Sequence, residues 1–274
     1  MQYFKFLRLA VAALILVPGA FASRGAAAQE VNMWDGQWHI DTTAYVWVPF
    51  MYTTVQLPDA VGGGNPTIET QPSQYLKYLR VASMFQATIQ KGDWGLWTDF
   101  VYLNLGTTPS KTRQVMLPAD IDVPVTLALD TGLRGTIWTM APSYTVIHND
   151  TVTLDVLAGF RYTSFRISIA YNLYIPATPI AAGGVWPSSA SMDGLVGLKG
   201  SVRLGNSNWY IPYEADVGAG DKNWNYNAIT GISYHLHWGD VTLAVRNLTY
   251  NKTGDVALEK VRMTGPALAA TIRW

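Results

Sequence analysis

Charged residues in this chain keep to one side of a two-residue repeat. Ten stretches, at about 38–48, 79–90, 94–105, 134–147, 151–163, 192–204, 209–220, 225–237, 241–250 and 262–274, read as strands with alternating faces. In 151–163 one parity carries Val152, Leu154, Val156, Ala158, Phe160 and Tyr162. The other carries Thr153, Asp155, Gly159, Arg161 and Thr163. In 192–204, Val196, Leu198, Val202 and Leu204 stand opposite Asp193, Lys199 and Arg203. Across all ten stretches every Asp, Glu, Lys and Arg falls on one face, except Arg134 and Arg262 at strand ends. Successive side chains of a strand point to opposite faces, so each strand keeps one face free of charge. Soluble sandwiches also alternate, with charge outside and apolar residues inside. A membrane barrel inverts that arrangement, because Arg or Lys facing mid-bilayer lipid costs about 2–4 kcal/mol.

Three further features decide between the two. Charged residues make up 14% of the chain, where a soluble domain has about one quarter. Lys5 and Arg8 precede the apolar run Leu9 to Phe21, and small residues Ala26-Ala27-Ala28 follow it. This is the three-part secretory pattern, with cleavage expected after Ala28. Residues 1–28 are thus read as a signal peptide and 29–274 as a single domain. At 13 residues the apolar run is too short to span as a helix, which takes about 20. No later stretch is apolar over that length, so an exported chain of this composition spans a membrane as a closed β-barrel. Lys and Arg balance Asp and Glu at 19 each, leaving no basic field for nucleic acid. Cysteine is absent, which excludes disulfide scaffolds, thiol nucleophiles and Cys-based zinc sites.

Connection lengths predict strand number and orientation. Lys91-Gly92-Asp93, His148-Asn149-Asp150, Gly205-Asn206-Ser207-Asn208 and Trp238-Gly239-Asp240 are short turn clusters. Longer connections cover about 49–78, 106–133, 164–191 and 251–261, with a shorter one at 221–224. Outer-membrane barrels have short periplasmic turns and long external loops. The fold class is therefore all-β: one antiparallel transmembrane β-barrel of ten strands with both termini in the periplasm, and eight or twelve strands as alternatives. Within the first loop, Tyr52-Thr53-Thr54-Val55 and Thr67-Ile68-Glu69-Thr70 flank Gly62-Gly63-Gly64 and predict a hairpin, which would raise the count to twelve if it crossed the bilayer. Ser73 to Tyr78 is predicted as one or two helical turns capped by Ser73. Aromatics agree with the orientation. Trp38, Trp94, Trp209, Trp238 and Trp274 sit at the short-turn ends, and Tyr102, Trp138 and Tyr162 toward the loop ends. Two girdles are what amphipathic rings at both interfaces produce. Pro266, Leu268, Ala270, Ile272 and Trp274 form one face of the last strand. That terminal aromatic resembles the signal read by the bacterial barrel-assembly machinery.

Several short segments resemble, in order, a widespread family of uncharacterised outer-membrane β-barrel proteins of Gram-negative bacteria. They are Tyr45-Val46-Trp47, Gly92-Asp93-Trp94-Gly95-Leu96-Trp97-Thr98-Asp99 with Tyr102-Leu103-Asn104-Leu105, and Leu154-Asp155-Val156-Leu157-Ala158-Gly159-Phe160-Arg161-Tyr162. Gly194-Leu195-Val196-Gly197-Leu198, Ala215-Asp216-Val217-Gly218 and Gly265-Pro266-Ala267-Leu268 complete the set. The resemblance implies a barrel in the outer membrane and carries no activity with it. Met192-Asp193-Gly194 and His235 depart from the family's usual residues.

The inner parity holds Asp41, Asp99, Asp155, Asp193, Glu214 and Asp216 against Arg80, Arg161, Lys199, Arg203, Arg246 and Arg273. Such a set makes either a charged constriction that selects solutes or a salt-bridged filling, and narrow barrels have room for little more than side chains. Glu214 and Asp216 are expected to pair with Lys199 and Arg203 on the adjacent strand, and Asp193 with an inner Arg or Lys. His235-Leu236-His237 places two imidazoles on one face, but spacing offers no third ligand, so no metal or other cofactor is expected. All four histidines fall at the periplasmic end. The expectation is a non-catalytic envelope barrel, structural or a narrow passive pore, whose partners are the outer-membrane bilayer and the assembly machinery. The alternative is a lipid-handling or hydrolytic barrel enzyme.

Deleting Trp274, or replacing it in Trp274→Asp, should lower the amount of protein in the outer membrane. Quantitative blotting of isolated membranes checks this, and normal levels of both variants would refute the reading of the last strand.

Overall fold

The computed structural model describes residues 33–55, 67–115, 125–175, 178–186, 188–252 and 258–274. The expected signal peptide and the Gly62–Gly64 apex lie outside the described residues. In chain order the strands are β1 (His39–Trp47), β2 (Phe50–Val55), β3 (Thr67–Thr70), β4 (Leu79–Lys91), β5 (Trp94–Val115), β6 (Val125–His148), β7 (Val152–Ile175), β8 (Thr178–Val185), β9 (Ser188–Arg203), β10 (Trp209–Gly220), β11 (Asn223–Leu236), β12 (Gly239–Lys252) and β13 (Leu258–Arg273). Ten of them form the wall in the order β1-β4-β5-β6-β7-β9-β10-β11-β12-β13. β13 returns to β1 along a ladder from Asp41↔Arg273 to Trp47↔Ala267, so the sheet closes on itself. Closure pairs the edges that an open sheet would expose in lipid, on the β1–β4 side as far as Ala44↔Phe85. No helix among the described residues is long and apolar enough to cross a membrane.

The alternation read from the sequence is the in-out pattern of the wall. On β7, Leu157, Arg161 and Phe165 are buried inside, while Val156 is exposed outside. Val196 and Val217 are both 58% exposed and sit opposite one another on β9 and β10. Trp38, Trp94, Trp209, Trp238 and Trp274 are exposed around the turn end. Two of the short turns need a glycine in the left-handed region, Gly92 at φ 57° and Gly205 at φ 61°, a conformation that costs other residues energy.

Two regions differ from the expectation. First, the external connections expected at 106–133 and 164–191 are mostly strand. β5, β6 and β7 run for 22, 24 and 24 residues, about twice what a tilted strand needs to cross the hydrocarbon. Their ladders continue beyond the membrane, as in Val115↔Val125 and Thr126↔Tyr174. A hairpin above the bilayer needs no charge-free face. Asp130, Arg134 and Arg166 therefore stand on the outward parity there, and the charge test loses its signal.

Second, β2 is the continuation of β1. Trp47↔Ala267 and Phe50↔Thr264 keep one register against β13, and the Val48 N–H donates to the Pro266 carbonyl at 3.0 Å across the gap. β3 folds back on β2 from Met51↔Thr70 to Thr54↔Thr67 as the expected hairpin. It stands above the wall without adding to it, so the count remains ten. A short helix α1 (Pro72–Tyr75) and a 3-10 turn over Leu76–Tyr78 lead into β4. The cap is Gln71 rather than Ser73. Its N–H donates to Gln74 Oε1 at 2.9 Å, and Pro72 takes the first helical position, where its missing N–H costs nothing. Tyr75 points down into the barrel mouth, buried, with its hydroxyl donating to the Pro49 carbonyl at 2.8 Å. Burial holds that hydroxyl protonated well above the usual tyrosine range.

Val196→Arg should destabilise the folded barrel by about 2–4 kcal/mol, read as a lower urea midpoint in lipid vesicles. An unchanged midpoint would mean that this face does not meet lipid.

Candidate functional site

The lumen is filled in three storeys. At the turn end Asp240 is buried, accepts from His235 Nδ1 at 2.7 Å and forms an ion pair with Arg273, whose Nη2 lies 2.5 Å away. Arg273 also lies 3.8 Å from Asp41. Nearby, Thr145 Oγ1 donates to Asp155 at 2.7 Å, while Lys199 Nζ lies 4.0 Å from Asp155 and donates to Thr88 at 3.1 Å. An imidazole oriented by a carboxylate has the geometry of a general base. Here Arg273 shares the same carboxylate, and Ser233, the hydroxyl two residues before His235 on its strand, pairs with Thr242 at 2.6 Å. His237 lies in the exposed turn after β11, while His235 is a half-buried strand residue. No group of three or more metal-ligating side chains occurs among the described residues.

The middle storey is a belt across the whole lumen. Arg161 from β7 donates Nε to Thr139 at 3.0 Å and Nη1 to Asn225 at 2.6 Å, and its two terminal nitrogens lie 2.8 and 2.9 Å from the Asp216 carboxylate. Arg246 from β12 donates Nε to Asn227 at 2.9 Å, Nη1 to the Tyr45 hydroxyl at 2.8 Å and Nη2 to Asp99 at 2.6 Å. Tyr45 in turn donates to Asp99 at 2.6 Å. The Asn227 carboxamide joins the two clusters, and that of Asn225 ties Asp193 to Arg161. Each accepts from an arginine through Oδ1 and donates through Nδ2, Asn225 to Asp193 at 2.6 Å and Asn227 to Glu214 at 2.7 Å and Asp216 at 3.0 Å. Arg161, Asp99 and Asp193 have no exposed surface, and Arg246 is 1% exposed.

This arrangement corrects two expected pairings. Asp216 meets Arg161, and Glu214 meets Asn227, rather than Lys199 or Arg203. Lys199 turns instead toward Asp155, its partner across the β7–β9 ladder. Asp193 is held by Asn223 at 2.5 Å and Asn225 at 2.6 Å, not by a cation. Its ladder neighbour Arg161 is long enough to reach past it to Asp216 on the next strand. Arg80 lies at the exposed upper end of β4, and Arg203 at the exposed lower end of β9, so neither joins the belt. The neutral members were missed. Asn223-Trp224-Asn225-Tyr226-Asn227 puts three carboxamides on the inner parity and two aromatics on the outer, a pattern visible to anyone counting polar residues rather than charges. Asp240, read as part of a turn, is the buried anchor of the lowest storey.

The upper storey is apolar over much of its circumference. Trp47, Met51, Leu103, Ile137, Phe165 and Met263 belong to one buried cluster, with Tyr75 above it. Arg246 roofs the belt against this cluster, with its guanidinium 5.0 Å from the Trp47 ring centre, at cation–π distance.

No protein-family model and no curated protein matches the chain. Among solved structures, the outer membrane protease OmpT from Escherichia coli is similar at a TM-score of 0.52 with 9% identity, over 89% of this chain and 99% of that one. The translocator domain of the autotransporter NalP from Neisseria meningitidis matches over 100% of this chain and 96% of that one, at a TM-score of 0.36 and 12% identity. The likeness to OmpT shows the fold. An outer-membrane β-barrel with apolar side chains outward and charge inward belongs in the outer-membrane bilayer, as the family resemblance implied.

Arg161→Met strands the Asp216 carboxylate in the belt and should cost about 3–5 kcal/mol. Adding Asp216→Leu should recover most of that loss. Urea unfolding followed by gel mobility measures both, and a double variant as unstable as the single one would refute the coupling.

Proposed function

We propose that the protein is a non-catalytic, structural outer-membrane barrel whose lumen is closed to ions and solutes. The continuous belt carries this reading. It joins side chains from β1, β5, β6, β7, β9, β10, β11 and β12 into one network of buried partners, and the upper storey packs apolar residues over it. A passive pore would need a water-filled path through both layers. Opening one would separate charges whose attraction is strongest away from water. What such a barrel offers the cell is its outer surface. Wall strands that continue above the bilayer display stiff hairpins at the external face. Its partners in this reading are the bilayer itself and, during insertion, the assembly machinery that reads the strand ending in Trp274.

Planar-bilayer recording on the purified protein tests the proposal. A silent membrane at protein levels that give heat-modifiable folded barrel is the expected result. Reproducible conductance steps would overturn the sealed reading in favour of a pore.

A further inference from the structure

The wall is not uniform. β1 and β4 pair from His39↔Gln90 to Ala44↔Phe85 and then separate. That last pair lies at the level of the belt, where Tyr45 and Asp99 meet. Above it the Trp47 N–H, which the ladder would direct to β4 backbone, meets the Met84 sulfur at 3.2 Å. β2, continuing β1, gives that same edge to β3. The upper end of β4 is correspondingly exposed on both parities, inner Arg80 and Ala82 as well as outer Leu79 and Val81. The barrel therefore has a split on its lipid-facing side, running upward from mid-wall.

Behind the split lies the apolar upper storey. Trp47, Met84, Leu103, Ile137, Phe165 and Met263 line a cavity there. The void among them is about 10 Å³, room for roughly one water. Within this lining Trp47 is 3% exposed, and its Nε1–H has no hydrogen-bond partner. A buried donor left unmet is costly, and Trp47 lines a cavity whose other side chains are hydrocarbon or thioether. Tyr75 fills the space above, carried on the four-residue helix α1 and tied by its hydroxyl to Pro49.

We propose that this upper storey is a binding site for a fatty acyl chain, admitted sideways from the outer leaflet through the β1–β4 split when Tyr75 swings out. The apolar lining takes the methylenes, and Trp47 Nε1 donates to the carbonyl or carboxyl oxygen. The belt forms the floor, so the site ends blind above the middle of the barrel. An ionic solute finds no partner in this lining, and the β2–β3 hairpin with α1 sits over the axial approach. Lipid is the phase that borders the split. This goes beyond the sealed structural reading and stands or falls apart from it, because a chain bound above the belt carries no current.

The test is photolabelling of the folded protein in phosphatidylcholine vesicles. One arm uses dodecanoic acid with a diazirine at its terminal carbon, and the other uses phosphatidylcholine carrying the diazirine on its acyl chain. Peptide mass spectrometry then reads adducts on inward Leu103, Ile137 and Met263 against outward Val46 and Phe85. The expected result is inward labelling in at least one arm, the arm identifying free acid or intact lipid as the source. Tyr75→Ala should raise that labelling severalfold. Trp47→Phe should lower it for the same probe, and Gly135→Leu, whose side chain grows toward the Phe165 ring, should abolish it. Adducts confined to outward residues in both arms would overturn the proposal, as would inward labelling indifferent to Tyr75→Ala.

Discussion

The barrel depends on two guanidiniums buried in the middle of its lumen. Arg161 and Arg246 would each be intolerable alone in that position. They are tolerated because every arm of each is taken, by carboxylates and by the carboxamides between them. The asparagines make this arrangement continuous. A carboxamide offers donors and acceptors at once, so Asn225 and Asn227 can stand between a cation and an anion and satisfy both. With only charged residues on β11, neighbours of like sign would have had to meet. The belt also fixes register. A one-residue slip of any contributing strand would send its polar member into lipid.

The inner-outer assignment was legible in the sequence because lipid enforces it on every strand. Val196 outward and Asp193 inward follow from the same exclusion of charge. That constraint stops at the bilayer surface, which is why residues 106–115 and 164–175 read as loops and proved to be strands. Partner choice inside the lumen was less legible. Parity places Lys199, Arg161, Asp193 and Asp216 on one side of the wall, but not how far each side chain leans. A lysine that turns to its ladder neighbour and an arginine that reaches over one look the same in a sequence. The cap of α1 failed for a local reason: Pro72 fits the first helical position so well that the cap moved back to Gln71.

The two halves of the lumen follow different chemistries, and the division falls where β1 and β4 part. Below it the wall is fully paired and the filling is polar apart from the buried patch of Trp97, Ala141, Leu157 and Leu195. Above it the filling is apolar and the wall on one side is incomplete. On β1 the ladder to β4 ends at Ala44, and Pro49 further along could not donate to it. The break at β4 and the apolar filling above the belt thus occur together.

The closing seam has a consequence for how the protein comes into being. Thr43 and Thr271 join hydroxyls at 2.8 Å although 228 residues separate them. β1 can find its partner β13 only after nearly all of the intervening strands are laid in place. Until then both edges of the growing sheet carry open backbone donors and acceptors, in a lipid phase that offers none. Such a chain cannot be inserted strand by strand as a set of finished pieces. It commits late and all together, and a partly built sheet is no stable stopping point.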